Sequence, residues 1–564
     1  MIIGLDVGGT HTDAVLIGAG GLVRDIKINT DTERLYDTVI RALDKLLADQ
    51  DVEAVKRVVL STTLATNMVV QDKLPAVAMV VSAGPGIDPE HFRVGDYYFR
   101  VKGSLDHSGR ELEPVDEKEI HLLGEKLQKL GLPAVGVVSK FSVRNAAHEL
   151  TIARILEKYV KNVFMGHLFS GALSFPRRIA TTYLNAAVYP VHADFFAAVH
   201  ASLEKKGILH PIRILKPDGG NMNMNSSMTY PAQTILSGPS ASVMGAIAHA
   251  PKNKTCLVLD IGGTTTDMAI ILNGAPIIAQ NGIEIGSYKT LIRALLTTSI
   301  GIGGDSVVRV REGVLTLGPD RGGVALAYGG PYPTPTDAMC LLGMIEKGDR
   351  EKSAAGLAII GSNLGLTAME VAEKIIDTAC QKIMAAAKHM VDQINSRPVY
   401  TVHEMCEGVK IRPDHLLVLG GPAEQFVGRL ATMFEGEAAT VPNWRVANAI
   451  GCALARTTCE VTVYADTARG LITAQGEEYH RKINRNFSLA DAREVAFELV
   501  FKKAVSRGAN PEHLKMEILE ESQFSMIRRF STIGKNIRVR AQVKPGLIHG
   551  YDAETGTLNR ADLS

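Results

Sequence analysis

The chain of 564 residues has few aromatic side chains, 5% in all, and Trp444 is its only tryptophan. Its cores must therefore be packed by aliphatic residues, and the 46% apolar content is enough for that. Six cysteines (Cys256, Cys340, Cys380, Cys406, Cys452 and Cys459) show neither a C-x-x-C pair nor a paired spacing. That argues against a disulfide framework, a zinc site or an iron–sulfur cluster. Charge of one sign is also missing. A net charge of +1 gives no ground for a nucleic-acid partner or a membrane surface. No apolar run approaches the roughly 20 residues that cross a bilayer. Met1 leads straight into an apolar strand, so the expectation is a chain without a signal peptide, placed in the cytoplasm. The length predicts two to four domains.

One octapeptide is stated twice. Asp6-Val7-Gly8-Gly9-Thr10-His11-Thr12-Asp13 returns 254 positions later as Asp260-Ile261-Gly262-Gly263-Thr264-Thr265-Thr266-Asp267. Each copy follows an apolar strand (2–5 and 256–259) and runs into another (14–17 and 268–272) that ends in a turn. Each therefore reads as strand–turn–strand. A Walker A loop or a dinucleotide fingerprint would open a helix and carry a different spacing. Gly8, Gly9, Gly262 and Gly263 let backbone N–H groups approach an anion. Thr10, Thr12, Thr264, Thr265 and Thr266 add hydroxyl donors, and His11 stands where the second copy has Thr265. Asp6 and Asp260, at the strand ends, can hold a divalent cation, usually through water. One such turn could equally be an ordinary hairpin. Two matched copies point to two like lobes closing on a nucleoside triphosphate with Mg²⁺.

Along the chain, residues 34–49 show helical spacing of apolar side chains. A buried strand at 58–60 ends in Ser61-Thr62-Thr63 and leads into a helix carrying Asn67. Thr62, Thr63 and Asn67 thus sit where ligands meet an α/β sheet, although a helix N-cap would use one of them. Residues 75–170 add strands and helices beyond a minimal lobe and read as a substrate-side insertion. The adjacent Arg177 and Arg178 open a helix running to about 205 and read as a solvated helix face. Residues 221–228 read as a loop. Two helices made of small residues, near 238–248 and 446–455, are expected to pack closely and to cross between lobes as a hinge. Gly303, Gly304 and Asp305 form a second glycine-rich loop suited to nucleotide contact. Segments 314–318 and 325–329 read as a β pair, and helix from 337 to about 394 is expected to break near 343–365. Gly420-Gly421-Pro422 ends a strand and would let a base or ribose approach the backbone. The basic cluster Arg528, Arg529, Lys535, Arg538 and Arg540 reads as a solvated face. The expected division is a first lobe over 1–250, a second over 251–460, and a small α+β domain over 461–564.

These elements, in this order, resemble the actin–hexokinase–Hsp70 superfamily of two-lobed ATPases. Within it the chain is similar to the hydantoinase/5-oxoprolinase family, specifically the hydantoinase A-type subunit. The matching stretches are 6–13, 61–67, 181–190, 218–220, 236–246, 260–267, 301–306 and 419–422. The resemblance implies an α/β fold of two ribonuclease-H-like lobes around a nucleotide cleft. It also implies ATP-dependent opening of a small cyclic amide, such as hydantoin or 5-oxoproline, through a phosphorylated intermediate. Asp6 and Asp260 would then hold Mg²⁺, with Asp13 and Asp267 behind them. The threonines and glycines of both turns would cradle the phosphates, and Thr62, Thr63 and Asn67 would face the substrate. A hydantoinase B-type subunit and an oligomeric assembly are the implied partners. A small-molecule kinase, a carboxylase-type subunit and a regulatory ATPase subunit remain alternatives.

Overall fold

The computed structural model describes residues 1–251, 253–279, 282–396, 410–528, 531–552 and 555–559. Cys406 and Arg529 lie outside them, as does the side chain of Arg528.

The first copy of the repeat is the hairpin of strands Ile2–Val7 and His11–Gly18, and it seeds a six-stranded sheet. Gly21–Asn29 adds antiparallel on one side; Arg57–Thr62 and then Ile212–Leu215 add parallel on the other. Helix Leu35–Leu47 covers this sheet because Leu35, Val39, Ala42, Leu43 and Leu46 recur on one face and are all buried. The second copy repeats the arrangement. Thr255–Ile261 pairs antiparallel with Thr266–Leu272 and parallel with His415–Leu419, beyond which lies Glu437–Thr440. Even the register is kept. Asp6 is opposite Asp13, and Asp260 is opposite Asp267. Both turns are closed alike, by Gly8 N–H to His11 O and by Gly262 N–H to Thr265 O. The fold is thus α/β, with two ribonuclease-H-like lobes.

Between strand Arg57–Thr62 and helix Phe175–Lys205 the chain builds a second, all-parallel sheet. Its order is Val163–Met165, Val135–Ser139, Ala78–Ser82, Tyr97–Arg100. After the second lobe comes an antiparallel sheet of five strands, with Glu460–Asp466 at its centre and helix Leu489–Ser506 packed on it. Among the described residues no helix is long and apolar enough to cross a membrane.

The two small-residue helices, Ser237–Ile247 and Ala447–Leu454, do approach backbone to backbone. A Cβ on Gly245 would collide with Ala447 O, and one on Gly451 with Ala241 O and Gly245 N. A Cβ on Gly4 would meet Ala449 O, so the second helix is wedged against the first lobe's central strand. One helix enters the second lobe's sheet and the other leaves it, so this crossing joins the lobes.

Five local expectations are corrected. Residues 221–228 form strand Asn221–Asn223 and helix Met224–Thr229, capped by the Asn223 side chain on Ser226 N–H. Val314–Arg321 pairs with Ser306–Arg311, while Leu326–Tyr328 is a 3₁₀ turn. Helix Arg350–Ser362 occupies most of the expected break, started by the Asp349 carboxylate on Lys352 N–H. Arg178 is fully buried rather than solvated, donating to Ser139 O at 2.9 Å and Ala172 O at 3.3 Å. In the basic cluster, Arg538 and Arg540 are half-buried and pair with Glu520 and Glu460, both at 2.7 Å.

Candidate functional site

Asp6 ends the first lobe's central strand and Asp260 ends the second's, so each carboxylate emerges where its sheet meets the other lobe. Asp6 is 6% exposed, and its Oδ1 has no hydrogen-bond partner among the described residues. Burial pushes its carboxyl up to about 7. The Ser61 hydroxyl opposes that shift, and the charges of Asp13 and Asp260 add to it. Asp260 is also raised, first by burial, against hydrogen bonds from Ser242 and Asn448. Asn448 Nδ2 donates to Asp260 Oδ2 at 3.2 Å, and Ser242 Oγ donates to the same oxygen. Both donors come from the crossing helices. Two carboxylates disfavour each other's ionisation when no cation lies between them.

These residues fit Mg²⁺: two hard oxygen donors, one of them buried and unpartnered, in a site that penalises their bare charge. Among the described residues no group of three metal-ligating side chains is present. Mg²⁺ takes one or two carboxylates and fills its octahedron with water and phosphate oxygens.

The partners behind the pair differ between copies. Asp13 is held by Lys27 Nζ at 2.7 and 2.8 Å, and Lys27 also reaches Arg445 O at 3.1 Å. Asp267 lies opposite Ser299, and among the described residues no lysine pairs with it; burial and then the Asp260 charge push it to about 7, against a hydrogen bond from Ser299.

The turns themselves come together. A Cβ on Gly263 would stand 3.9 Å from Thr10 Cγ2. The glycine loop packs on the second turn, with Gly304 N–H to Gly262 O at 3.0 Å and Asp305 N–H to Gly263 O at 2.6 Å. Gly420, at φ +95°, allows the next strand end to pass Ile261 O and Asp260, and Gly421 opens onto free space. Pro422 leads helix Ala423–Met433 beside Gly304. Gly8, Gly9, Thr10 and His11, like Gly262, Gly263, Thr264 and Thr265, retain exposed surface. Thr12 and Thr266 do not. Both are fully buried, their hydroxyls engaging Thr30 Oγ1 at 2.9 Å and Ile302 O at 2.7 Å. They brace the turns instead of facing a ligand.

Thr62, Thr63 and Asn67 stand beside the first turn. Thr63 Oγ1 donates to Val7 O at 3.2 Å, Asn67 Nδ2 reaches Thr63 Oγ1 at 3.3 Å, and Thr62 is almost fully buried. Sequence reasoning missed Ser242, Asn448 and Arg321. The last bridges the lobes, with Nη1 on Thr10 Oγ1 and Nη2 on Asp305 Oδ2, both at 3.3 Å. Only their placement marks them; nothing in their local sequence does.

A separate cavity of about 840 Å³ opens between the inserted region, the second lobe and the C-terminal sheet. Its lining includes none of the turn residues, and none of Thr62, Thr63 and Asn67.

Comparison with known proteins agrees with this architecture. The chain is 23% identical to the caprolactamase alpha subunit of Pseudomonas jessenii, over 78% of this chain and 68% of that one. It is 25% identical to the acetophenone carboxylase gamma subunit of Aromatoleum aromaticum, over 70% and 62%. To the 5-oxoprolinase of Saccharomyces cerevisiae it is 23% identical, over 61% and 32%. The chain therefore spans about two thirds of the first of these relatives and about a third of the last. The crystal structure of the ATP-dependent caprolactamase from Pseudomonas jessenii superposes with a TM-score of 0.71 at 17% identity, covering 96% of this chain and 87% of that one. Nucleotide-free acetone carboxylase gives 0.70 at 18% identity, with the same coverage. The hydantoinase/oxoprolinase profile matches residues 178–461 and the profile of that family's N-terminal region matches 2–160, and on these matches the chain belongs to the hydantoinase/oxoprolinase family.

Proposed function

We propose that the chain uses ATP and Mg²⁺ to open a small cyclic amide, as the nucleotide-binding subunit of an assembly that includes a B-type partner. The observation that carries this reading is the pair of register-matched turns, which bring Asp6 and Asp260 to one gap, with Asp6 Oδ1 unpartnered among the described residues. Asp6 and Asp260 would hold Mg²⁺, which when bound neutralises charge on the phosphates. The N–H groups of Gly9 and Gly263, with Thr10 and Thr264, would position the triphosphate, while those of Gly8 and Gly262 close the turns. Gly303, Gly304, Gly420 and Gly421 would border its ribose and base.

Amide resonance makes the ring carbonyl a poor electrophile. Attack of its oxygen on the γ-phosphorus expels ADP and leaves a phosphorylated imidate. Water then adds to the imidate carbon, the ring nitrogen leaves as an amine, and a second water frees phosphate from the acyl phosphate. The protein's part is positioning and charge neutralisation. The relatives named for caprolactam and 5-oxoproline support this reading. The acetophenone carboxylase relative favours a second, in which the same turns phosphorylate a ketone enol or bicarbonate.

The test is to incubate the protein with Mg-ATP and hydantoin, 5-oxoproline or caprolactam, alone and with a B-type subunit. ADP release with a ring-opened product supports the amidohydrolase. ADP release that depends on a ketone and bicarbonate supports the carboxylase, and a stable phosphorylated product would mean a kinase. Asp260→Ala should cut turnover at least about a hundredfold in a folded protein; retained turnover would sink the metal assignment.

A further inference from the structure

The 840 Å³ cavity has the size of a small-molecule site, and its charge is unbalanced. Basic side chains outnumber acidic ones in its lining by eight to four. Every acidic one already has a cation. Asp218 pairs with Lys216 at 2.9 Å, Glu460 with Arg293 at 2.9 Å and Arg540 at 2.7 Å, Glu477 with Lys503, and Glu520 with Arg538 at 2.7 Å.

Arg507 is different. It follows helix Leu489–Ser506, lines the cavity, and is 6% exposed. Its guanidinium lies over the Tyr230 ring, 5.3 Å from the centroid, and that ring packs edge-on against Phe169. Among the described residues it meets no carboxylate and donates no side-chain hydrogen bond. Its guanidinium opens onto the cavity, and its planar fork suits a two-oxygen group.

A second group in the lining is fixed from behind. His167, 2% exposed, has Nδ1 at 2.6 Å from Oε2 of the fully buried Glu149. Glu149 in turn accepts from the backbone N–H of Ser139 and of His167, both at 2.8 Å. With Nδ1–H directed at that carboxylate, Nε2 is an acceptor in the neutral ring and donates to an anionic ligand only as the imidazolium.

We propose that this cavity binds the oxyanion group of a small organic molecule, carboxylate or phosphoryl, with Arg507 as its anchor and His167 as a positioning residue. The inference stands apart from the ATP-using reading, because it depends on no residue of the paired turns.

Titration calorimetry on the full chain tests it with three probes: 5-oxoproline, 2-pyrrolidinone (the same ring without the carboxylate) and inorganic phosphate. The expected result is saturable binding of 5-oxoproline or phosphate at one site, with 2-pyrrolidinone at least tenfold weaker. Which anion binds distinguishes the two sources. Arg507→Gln should weaken the anion at least tenfold and leave ATP affinity and the urea midpoint unchanged. Should that variant fail to fold, amide exchange in the unaltered protein serves instead, with protection by the bound anion expected near residues 503–508. Equal binding of the neutral ring, no binding of either anion, or binding indifferent to Arg507 with no such protection would overturn the proposal. Anion binding without any ATP turnover, even with a B-type subunit present, would refute the reaction proposed above and leave this site standing.

Discussion

Asn448 Nδ2 donates to Asp260 Oδ2 at 3.2 Å from the very helix whose neighbouring residues press on Gly4 and Gly245. The side chain that steadies the second carboxylate is thus carried by the element that joins the two lobes. Asn448→Leu keeps the volume and removes the donor. It should lower Mg-ATP turnover by about tenfold or more and stability by about 1 kcal/mol. Steady-state kinetics with a urea titration checks both; unchanged kinetics would make Asn448 a packing residue only.

The helix crossing is intolerant of a single methyl. Gly245→Ala and Gly451→Ala each place a Cβ against backbone atoms that cannot swing aside. Each should cost about 1–3 kcal/mol. Gly421→Ala, whose Cβ would meet nothing within 4 Å, is the matched control. Urea midpoints measured side by side would show whether the contact is as tight as the geometry says.

Glu460 gives a pH dependence with a definite sign. Burial alone would raise its carboxyl, but Arg540 and Arg293 outweigh that and hold it at about 2, against an ordinary 4.5. The folded pKa is depressed, so the stabilisation is full above pH 4.5 and is lost as pH falls from there towards 2. The ceiling is on the order of 3 kcal/mol. Between pH 5 and 3 the unaltered protein should lose roughly 2 kcal/mol more than Glu460→Gln. Parallel curves would show that the pair is screened by solvent.

Arg178 is buried against two carbonyl oxygens and lies close enough to Glu149 to stabilise its charge. Arg178→Met fills the space but takes the guanidinium charge from Glu149, which keeps His167 and two backbone N–H groups, and removes the donor to the Ser139 and Ala172 carbonyls. A loss of about 3–5 kcal/mol is expected, read from the urea midpoint. Pairing it with Glu149→Gln should recover part of that loss.

How much of this was legible follows from what is local. The strand–turn–strand units could be read because glycines, hydroxyls and flanking apolar runs all lie within one stretch, and repetition at a fixed offset counted against an accidental hairpin. The close-packed helices were legible for a like reason, since small residues at helical spacing have few other uses. Arg178 was misread because burial of a charge depends on Glu149, Ser139 and Ala172, none of them its sequence neighbours. Thr12 and Thr266 looked like phosphate donors because the sequence does not show that each hydroxyl is taken, by Thr30 and by the carbonyl of Ile302. Arg321, Asn448 and the oxyanion cavity are products of tertiary assembly. The cavity draws its walls from residues as far apart as Val143 and Arg540. No pattern along the chain announces it.

The crossing of Ser237–Ile247 and Ala447–Leu454 has a mechanical meaning beyond its stability. With backbone against backbone there is no layer of side chains to shear, so a rotation of one lobe on the other would turn on this contact as on the pin of a pair of scissors. Distances beside the pin hardly change when the blades turn, and the Asn448–Asp260 bond lies there. Distances at the tips change most, and there Arg321 reaches Thr10 across the gap. A few degrees of rotation would therefore leave the carboxylate cradle intact while parting the two turns.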